Sequence, residues 1–371
     1  MSHQGKVLPP ADGGPAAGKI TAAFWRGRRV LVTGHTGFKG SWLLLMLERL
    51  GADVTGFALP PPTDPSMFNL IGLDGHCRHI LGDINDRAAV LAAIRAAEPD
   101  IVIHMAAQPL VRDSYVMPVE TFATNITGTA HVLEACRQVP SVRTVLSITT
   151  DKVYENLGLT RGYTEEDRLG GHDPYSASKA AAEIVIASYR ASFFAENGVG
   201  LAAARSGNVV GGGDFARDRI VPDAIRAFVA GSTLQVRNRY AVRPWQHVLD
   251  PLAGYLLLAE RLSGDPKLAG GWNFGPPADA AVPVGQVADL MCGFWSEPAS
   301  WACDEADHPH EAHLLTLDAS KAARELGWNQ RLGIEETLRQ TVVWYDAWRS
   351  AGDLRALSEA QTDAFMAELI G

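Results

Sequence analysis

From residue 28 onward, short apolar runs alternate with longer stretches whose apolar positions recur at helical spacing. Residues 28–33 (RRVLVT), 53–59, 101–104, 144–149 and 199–204 read as strands. Residues 41–50, 87–97, 125–138 and 174–196 read as helices. Strands that are apolar throughout, with a helix between each pair, predict a parallel sheet covered on both faces. Beyond about Arg205 the regularity weakens: Gly211-Gly212-Gly213 and then Pro222, Pro244, Pro251, Pro276 and Pro277 cut the chain into shorter pieces. The expected organisation is a disordered tail over 1–24 and a sheet domain over 25–205 with a returning segment near 245–275. Residues 206–371 would then form mainly a smaller α/β substrate lobe.

Between the first strand and the first helix lies Gly34-His35-Thr36-Gly37-Phe38-Lys39-Gly40. Glycines at such a turn let the backbone approach a pyrophosphate, and the helix N–H groups meet its charge. The fold class expected is therefore a doubly wound, Rossmann-type parallel sheet carrying a nicotinamide dinucleotide. The spacing G-x-x-G-x-x-G differs from the commoner G-x-G-x-x-G. The second strand ends Phe57-Ala58-Leu59-Pro60, without the carboxylate that usually holds the adenosine ribose, so NAD and NADP are not separated there.

Tyr175 and Lys179 stand four residues apart in a helical segment and so share a face. An ammonium beside a phenol is expected to bring its pKa down, so that Tyr175 takes a proton from an alcohol as hydride leaves the carbon. Thr149-Thr150-Asp151-Lys152 follows a strand, where polar residues face the ligand crevice.

The bulk numbers narrow the partners. A formal charge of −9 disfavours nucleic acid or an anionic membrane as the main partner. No apolar run approaches the roughly 18–20 residues of a membrane span. The first 24 residues lack the apolar centre of a signal peptide, so a cytoplasmic enzyme is expected. The four cysteines (Cys77, Cys136, Cys292, Cys303) form no C-x-x-C pair and are expected as free thiols. Cys303, His308, His310 and His313 fit no usual zinc spacing, and no metal is expected. Nine tryptophans invite a carbohydrate-stacking role, but several, such as Trp42 and Trp328, stand at core-like positions.

Seven stretches carry a resemblance: TGHTGFKG (33–40), HMAAQPLVRDSY (104–115), TTDKVYEN (149–156), PYSASKAAAE (174–183), GNVVGGGDFARDRIVPD (207–223), RPWQHVLDPLAGYL (243–256) and PHEAH (309–313). With them the chain resembles the extended short-chain dehydrogenase/reductase family over nearly its whole length from about Trp25. Within that family it is most similar to the nucleotide-sugar 4,6-dehydratases, in the branch that takes CDP-linked glucose. The resemblance implies a hydro-lyase that makes a 4-keto-6-deoxy sugar by internal hydride transfer from C4 to NAD and on to C6. It assigns Tyr175 to the C4 hydroxyl proton, Lys179 to the phenol and nicotinamide ribose, Thr150 to the C4 oxygen and Asp151 to the departing C6 hydroxyl.

Lys152 stands where the dTDP-glucose dehydratases carry a glutamate that removes the C5 proton. A lysine serves as that base only if its pKa is depressed; otherwise it stabilises the enolate as a cation. For the cofactor the resemblance implies Gly34, Thr36, Gly37, Phe38, Gly40, Asp83, Ile84, Ala106, Ala107, Gln108 and Asn125, besides Tyr175 and Lys179. For the substrate pyrophosphate and sugar it implies Asn208, Arg219, Arg237 and Arg243, since guanidinium forks suit phosphate. It also implies a homodimer or dimer of dimers and a role in supplying deoxysugar to surface polysaccharide. A 4-epimerase on the same scaffold would leave Asp151 and Lys152 without a task.

Overall fold

A computed structural model describes residues 18–277, 280–304 and 315–371. Five strands of the large sheet stand where the pattern puts them: β1 (Arg29–Thr33), β2 (Asp53–Ala58), β4 (Ile101–His104), β5 (Thr144–Ile148) and β6 (Gly200–Ser206). β3 (Arg78–Leu81) is a short edge strand, and β10 (Gly270–Phe274) joins from the far half of the chain. All seven pair in parallel, in the order β10-β6-β5-β4-β1-β2-β3. The order reverses between β1 and β4, so their carboxyl ends splay into a crevice.

Helices cover both faces. α1 (Phe38–Arg49), α8 (Leu249–Gly264), α10 (Ile334–Arg349) and α11 (Leu354–Ala367) contribute to the larger apolar core. α2 (Arg87–Ala97), α5 (Thr129–Gln138) and α6 (Pro174–Tyr189) contribute to a second core on the other face. α1 is an almost uninterrupted apolar helix because both its sides are covered: every residue from Gly40 to Leu47 is buried. Trp42 and Trp328 are core residues, as their positions suggest, and the indole N–H of Trp42 donates to Gly212 O at 2.9 Å.

The second half adds two small parallel pairs. β7 (Asn208–Val210) pairs with β9 (Trp245–His247), and β8 (Leu234–Val236) pairs with β11 (Trp301–Cys303). α7 (Ile220–Val229) and α9 (Val284–Phe294) pack beside them. α3 (Val111–Val116) and α4 (Pro118–Phe122) pack against α6.

Three expectations need correction. Residues 18–24 of the tail expected over 1–24 are packed: Ile20 is fully buried and bridged to Ile370, and the adjoining Trp25 donates to Glu260, while residues 1–17 lie outside the described residues. Apolar Ile20 and Trp25 close one end of the larger core, which a tail of small residues would not do. The segment after 206 is less separate than its broken pattern suggests. α8 and β10, which belong to the large sheet layer, fall within the returning segment expected near 245–275, but α11 also reaches back and is tied to α1 by Arg49–Glu359, Arg49–Asp363 and Arg355–Glu48 ion pairs. Third, the helix expected over 174–196 changes character: α-helical to Tyr189, wider over Arg190–Phe194, and tighter over Ala195–Asn197.

Among the described residues, no helix is long and apolar enough to cross a membrane. The four cysteines are free thiols. His308, His310 and His313 lie outside the described residues.

Candidate active site

A cavity of about 1530 Å³ opens along the carboxyl ends of the strands and reaches between the two halves of the chain. Its floor is the glycine turn. Gly34 has φ +75°, and a Cβ there would meet Ala106 N at 2.7 Å. Only glycine both adopts that backbone and lets β1 and β4 lie so close. Gly40 is needed for packing: its Cβ would stand 2.6 Å from His35 Cα. Gly37, Phe38, Lys39 and Gly40, the start of α1, line the cavity with first-turn N–H groups that have no partner inside the helix. This is a cradle for an anionic pyrophosphate.

Thr36, Asp83, Ile84, Ala106 and Ala107 line the same half of the cavity. Thr36 Oγ1 donates to Leu59 O at 2.9 Å, pinning the glycine turn to the chain beyond β2, where no carboxylate stands. Gln108 and Asn125 are differently placed from expectation. Asn125 accepts from Gln108 N (2.9 Å) and donates to Gln108 O (3.1 Å) and Ser178 Oγ (2.8 Å). Gln108 Nε2 donates to Leu110 O and Thr121 Oγ1. Both amides are occupied in fixing the loop after β4 against α6, so they shape the cavity wall from behind.

The catalytic candidates converge from two elements. α6 is started by Asp173, which accepts from Ser176 N at 2.9 Å, with Pro174 at its first position. It presents Tyr175 and Lys179 on one buried face. After β5 the chain makes one tight turn at Asp151–Val153, capped by Thr150. Thr150 Oγ1 donates to Asp151 Oδ1 at 2.9 Å, and Lys152 Nζ approaches the same oxygen at 3.3 Å. Asp151 is buried, and its Oδ2 has no partner in the protein. A buried carboxylate oxygen left open on a cavity wall is an oxygen waiting for a ligand group.

Charge at the site departs from the simple picture of Lys179 acidifying Tyr175. Burial dominates and pushes the Tyr175 phenol up to about 12; a hydrogen bond with Thr150 and the charge of Arg219 pull it back, while Asp151 raises it. Burial likewise lowers Lys179 to about 8, with Lys39 lowering it further and Glu183 opposing. Lys179 Nζ donates to Ile148 O at 3.1 Å, which holds it under the end of β5.

Asn208, Arg219, Arg237 and Arg243 line the other half of the cavity, on and around β7, β8 and α7. Arg219 is held by Asp214 at 2.8 Å. Arg243 Nη1 donates to Val242 O.

The sequence reading passed over Lys39, although it lies inside the glycine motif. Lys39 Nζ donates to Ser206 Oγ and Tyr255 OH, both at 3.0 Å, and burial lowers it to about 7. The available signal was a charged residue at the head of an otherwise apolar helix.

Residues 30–270 match the NAD dependent epimerase/dehydratase family, and the chain belongs to that family. It is an NAD-dependent member of that family, and the proteins it is similar to bear the names of nucleotide-sugar enzymes. It is 48% identical over 353 residues to the CDP-glucose 4,6-dehydratase of Salmonella typhimurium, covering 94% of this chain and 98% of that one. Among solved structures, a UDP-glucose 4-epimerase from Stenotrophomonas maltophila superposes with a TM-score of 0.78 at 24% identity, covering 88% of this chain and 100% of the other. The dTDP-glucose 4,6-dehydratase of Bacillus anthracis does so with a TM-score of 0.71 at 21% identity, covering 89% and 99%. At those identities the two structures speak for the fold alone.

Proposed function

We propose that this protein is a CDP-glucose 4,6-dehydratase, converting CDP-glucose to CDP-4-keto-6-deoxyglucose and water. The observation that carries the reading is the convergence of Thr150, Asp151 and Lys152 with Tyr175 and Lys179 on one cavity, in a chain 48% identical to an enzyme of that name. A 4-epimerase needs the tyrosine and lysine but has no use for a buried carboxylate and an ammonium beside it.

Gly34, Thr36, Gly37, Phe38, Gly40, Asp83, Ile84, Ala106 and Ala107 would hold the NAD, with Gln108 and Asn125 bracing the loop behind it. When bound, NAD supplies the oxidising power that turns C4 into a ketone and restores the electrons at C6. Tyr175 takes the proton of the C4 hydroxyl, and Thr150 keeps a hydrogen bond on that oxygen. A phenol at about 12 is a poor base at neutral pH, so the bound state must bring it down. The positive charges at hand for this are Lys179 and Arg219. The ketone acidifies C5–H; Lys152, having passed its proton to Asp151 across the 3.3 Å between them, takes the C5 proton as Asp151 delivers the transferred one to the C6 hydroxyl, which leaves as water.

Lys152 faces the C5 step. Its side chain keeps about a third of its surface in contact with solvent (34%) and is paired with Asp151. That contact is the route by which Lys152 passes a proton to Asp151 and is left as the amine that takes the C5 proton. Asn208, Arg219, Arg237 and Arg243 would bind the sugar and its pyrophosphate.

The same reading includes a homodimer, supported by an exposed apolar face on α3, α4 and α6 that includes Val116, Val119 and Ile184. It also has the enzyme working in the cytoplasm, where its product supplies deoxysugar for surface polysaccharide. The test is a comparison of CDP-, UDP-, dTDP- and GDP-glucose at equal concentration, with products followed by proton NMR. The expected result is a new C6 methyl signal with CDP-glucose at the highest kcat/KM. A C4 epimer without a methyl signal would overturn the dehydratase, and a preference for another base would overturn the CDP assignment.

A further inference from the structure

Behind the catalytic turn lies a buried charge that the chemistry above does not use. On α6, Glu183 follows Lys179 by four residues as Lys179 follows Tyr175, so the three form one stripe. Glu183 and Arg205 are both almost fully buried and form a two-point ion pair. Thr149 Oγ1 donates to Glu183 Oε1 at 2.6 Å, and Thr149 directly precedes Thr150 and Asp151. Arg205 Nη1 donates to Tyr154 OH at 2.5 Å, and the guanidinium also lies 5.0 Å from the centre of the Tyr154 ring. Tyr154 OH donates in turn to Asn273 Oδ1 at 2.8 Å. A Cβ at Gly271 would stand 2.7 Å from Arg205 Nη2, so β10 gives up a side chain to admit this group.

We propose that Glu183, clamped by Arg205, is a positioning residue: it fixes the strand end bearing Thr150 and Asp151 against the helix bearing Tyr175 and Lys179. It also supplies the buried negative charge that keeps Lys179 an ammonium. The proposal rests on the roles given to Tyr175 and Lys179 above. The charges that face Lys179 are Lys39 from α1 and Glu183 from its own helix, with neutral His104 from β4. Glu183 is the acidic member of this set, and it is faced in turn by Arg205 and Arg190. Burial and Lys39 push Lys179 toward its neutral form and Glu183 pushes back. Removing that charge makes Lys179 lose its proton at lower pH.

The test uses the NAD-loaded full-length enzyme. For Glu183→Gln, the alkaline limb of the kcat–pH profile is expected to move to lower pH by about 0.5 unit or more, with KM for the nucleotide sugar changed little. Glu183→Asp keeps the charge and is expected to leave the limb in place. Thr149→Val keeps the charge but cuts the tether; it should lower kcat by about tenfold with the limb unmoved. If Glu183→Gln leaves an unpaired buried cation and does not fold, the double variant Glu183→Gln/Arg205→Met removes both charges and should move the limb in the same direction.

An alkaline limb unchanged in the folded Gln variant, or in the double variant, would overturn the proposal. So would equal losses of kcat for Gln and Asp with no change in profile. Acetylation of Lys179 by acetic anhydride, followed across pH by mass spectrometry, reads the same shift without turnover. A wild-type enzyme inactive on every nucleotide-glucose would sink the proposed function, and this labelling would still decide the role of Glu183.

Discussion

Asp151 and Lys152 are adjacent in sequence and share one oxygen, yet they meet different surroundings. The carboxylate is buried with Oδ2 open, while the lysine leans out of the turn into solvent. A buried side chain aimed at the cavity suits proton delivery, and the amine beside it, once its proton has passed to the shared oxygen, suits removal of the C5 proton. Lys152→Ala is therefore expected to leave the first oxidation intact and to block elimination. Mixing the variant with CDP-glucose should build up the near-ultraviolet absorbance of reduced cofactor while turnover falls about 100-fold or more. Unchanged turnover would remove Lys152 from the C5 step.

At this scale the sequence was readable where chemistry is local. Tyr175–Lys179 and Thr150–Lys152 are spaced by four residues or fewer, so one helix or one turn brings them together. Lys39, Glu183 and Arg205 were not readable, because their partners lie far along the chain: Lys39 and Tyr255 are 216 residues apart. Gln108 was read as lining the cofactor's path and Asn125 as a helix asparagine of structural use near it; their hydrogen bonds close on each other across 17 residues.

The long elements were the most legible, since periodicity needs length. α2 ends where the pattern ends, and β4 matches residue for residue. The departures have local causes that periodicity does not register. The wide turn at Ala123–Gly128 carries Asn125, and the one at Arg190–Phe194 buries Phe194 while Phe193 stays partly outside. β10 was legible only as part of the returning segment near 245–275, not as a strand, because it opens with Gly270-Gly271, a composition that reads as a loop. The space cleared at Gly271 is the space Arg205 occupies.

The elements also leave something uncovered. Val116, Val119 and Ile184 are 82%, 74% and 63% exposed on the neighbouring helices α3, α4 and α6, an unusual concentration of large apolar side chains on a protein surface. If this face joins two subunits, Val119→Glu with Ile184→Glu should yield a monomer by light scattering, with wild-type protein at twice that mass. An unaltered dimer would place the interface elsewhere, and a monomeric wild type would remove it.

Across the whole molecule, the alternation of strands and helices announced the sheet, and the structure supplies the strand order that makes it a site. Reversal between β1 and β4 puts the glycine turn, the Thr150–Lys152 turn and the head of α6 around one crevice. The boundary near residue 206 was overdrawn because Gly and Pro breaks were read as separation. One apolar core in fact runs from Ile20 through α1 and α8 to Leu369.

The central claim is that one cavity oxidises C4, expels water across C5–C6 and reduces C6 with the same hydrogen. Incubating the enzyme with CDP-glucose deuterated at C4, and examining the product by NMR and mass spectrometry, tests this most directly. The account predicts a 4-ketone whose C6 methyl group carries the deuterium. Deuterium remaining at C4 in an inverted sugar, or a methyl group filled from solvent, would contradict it.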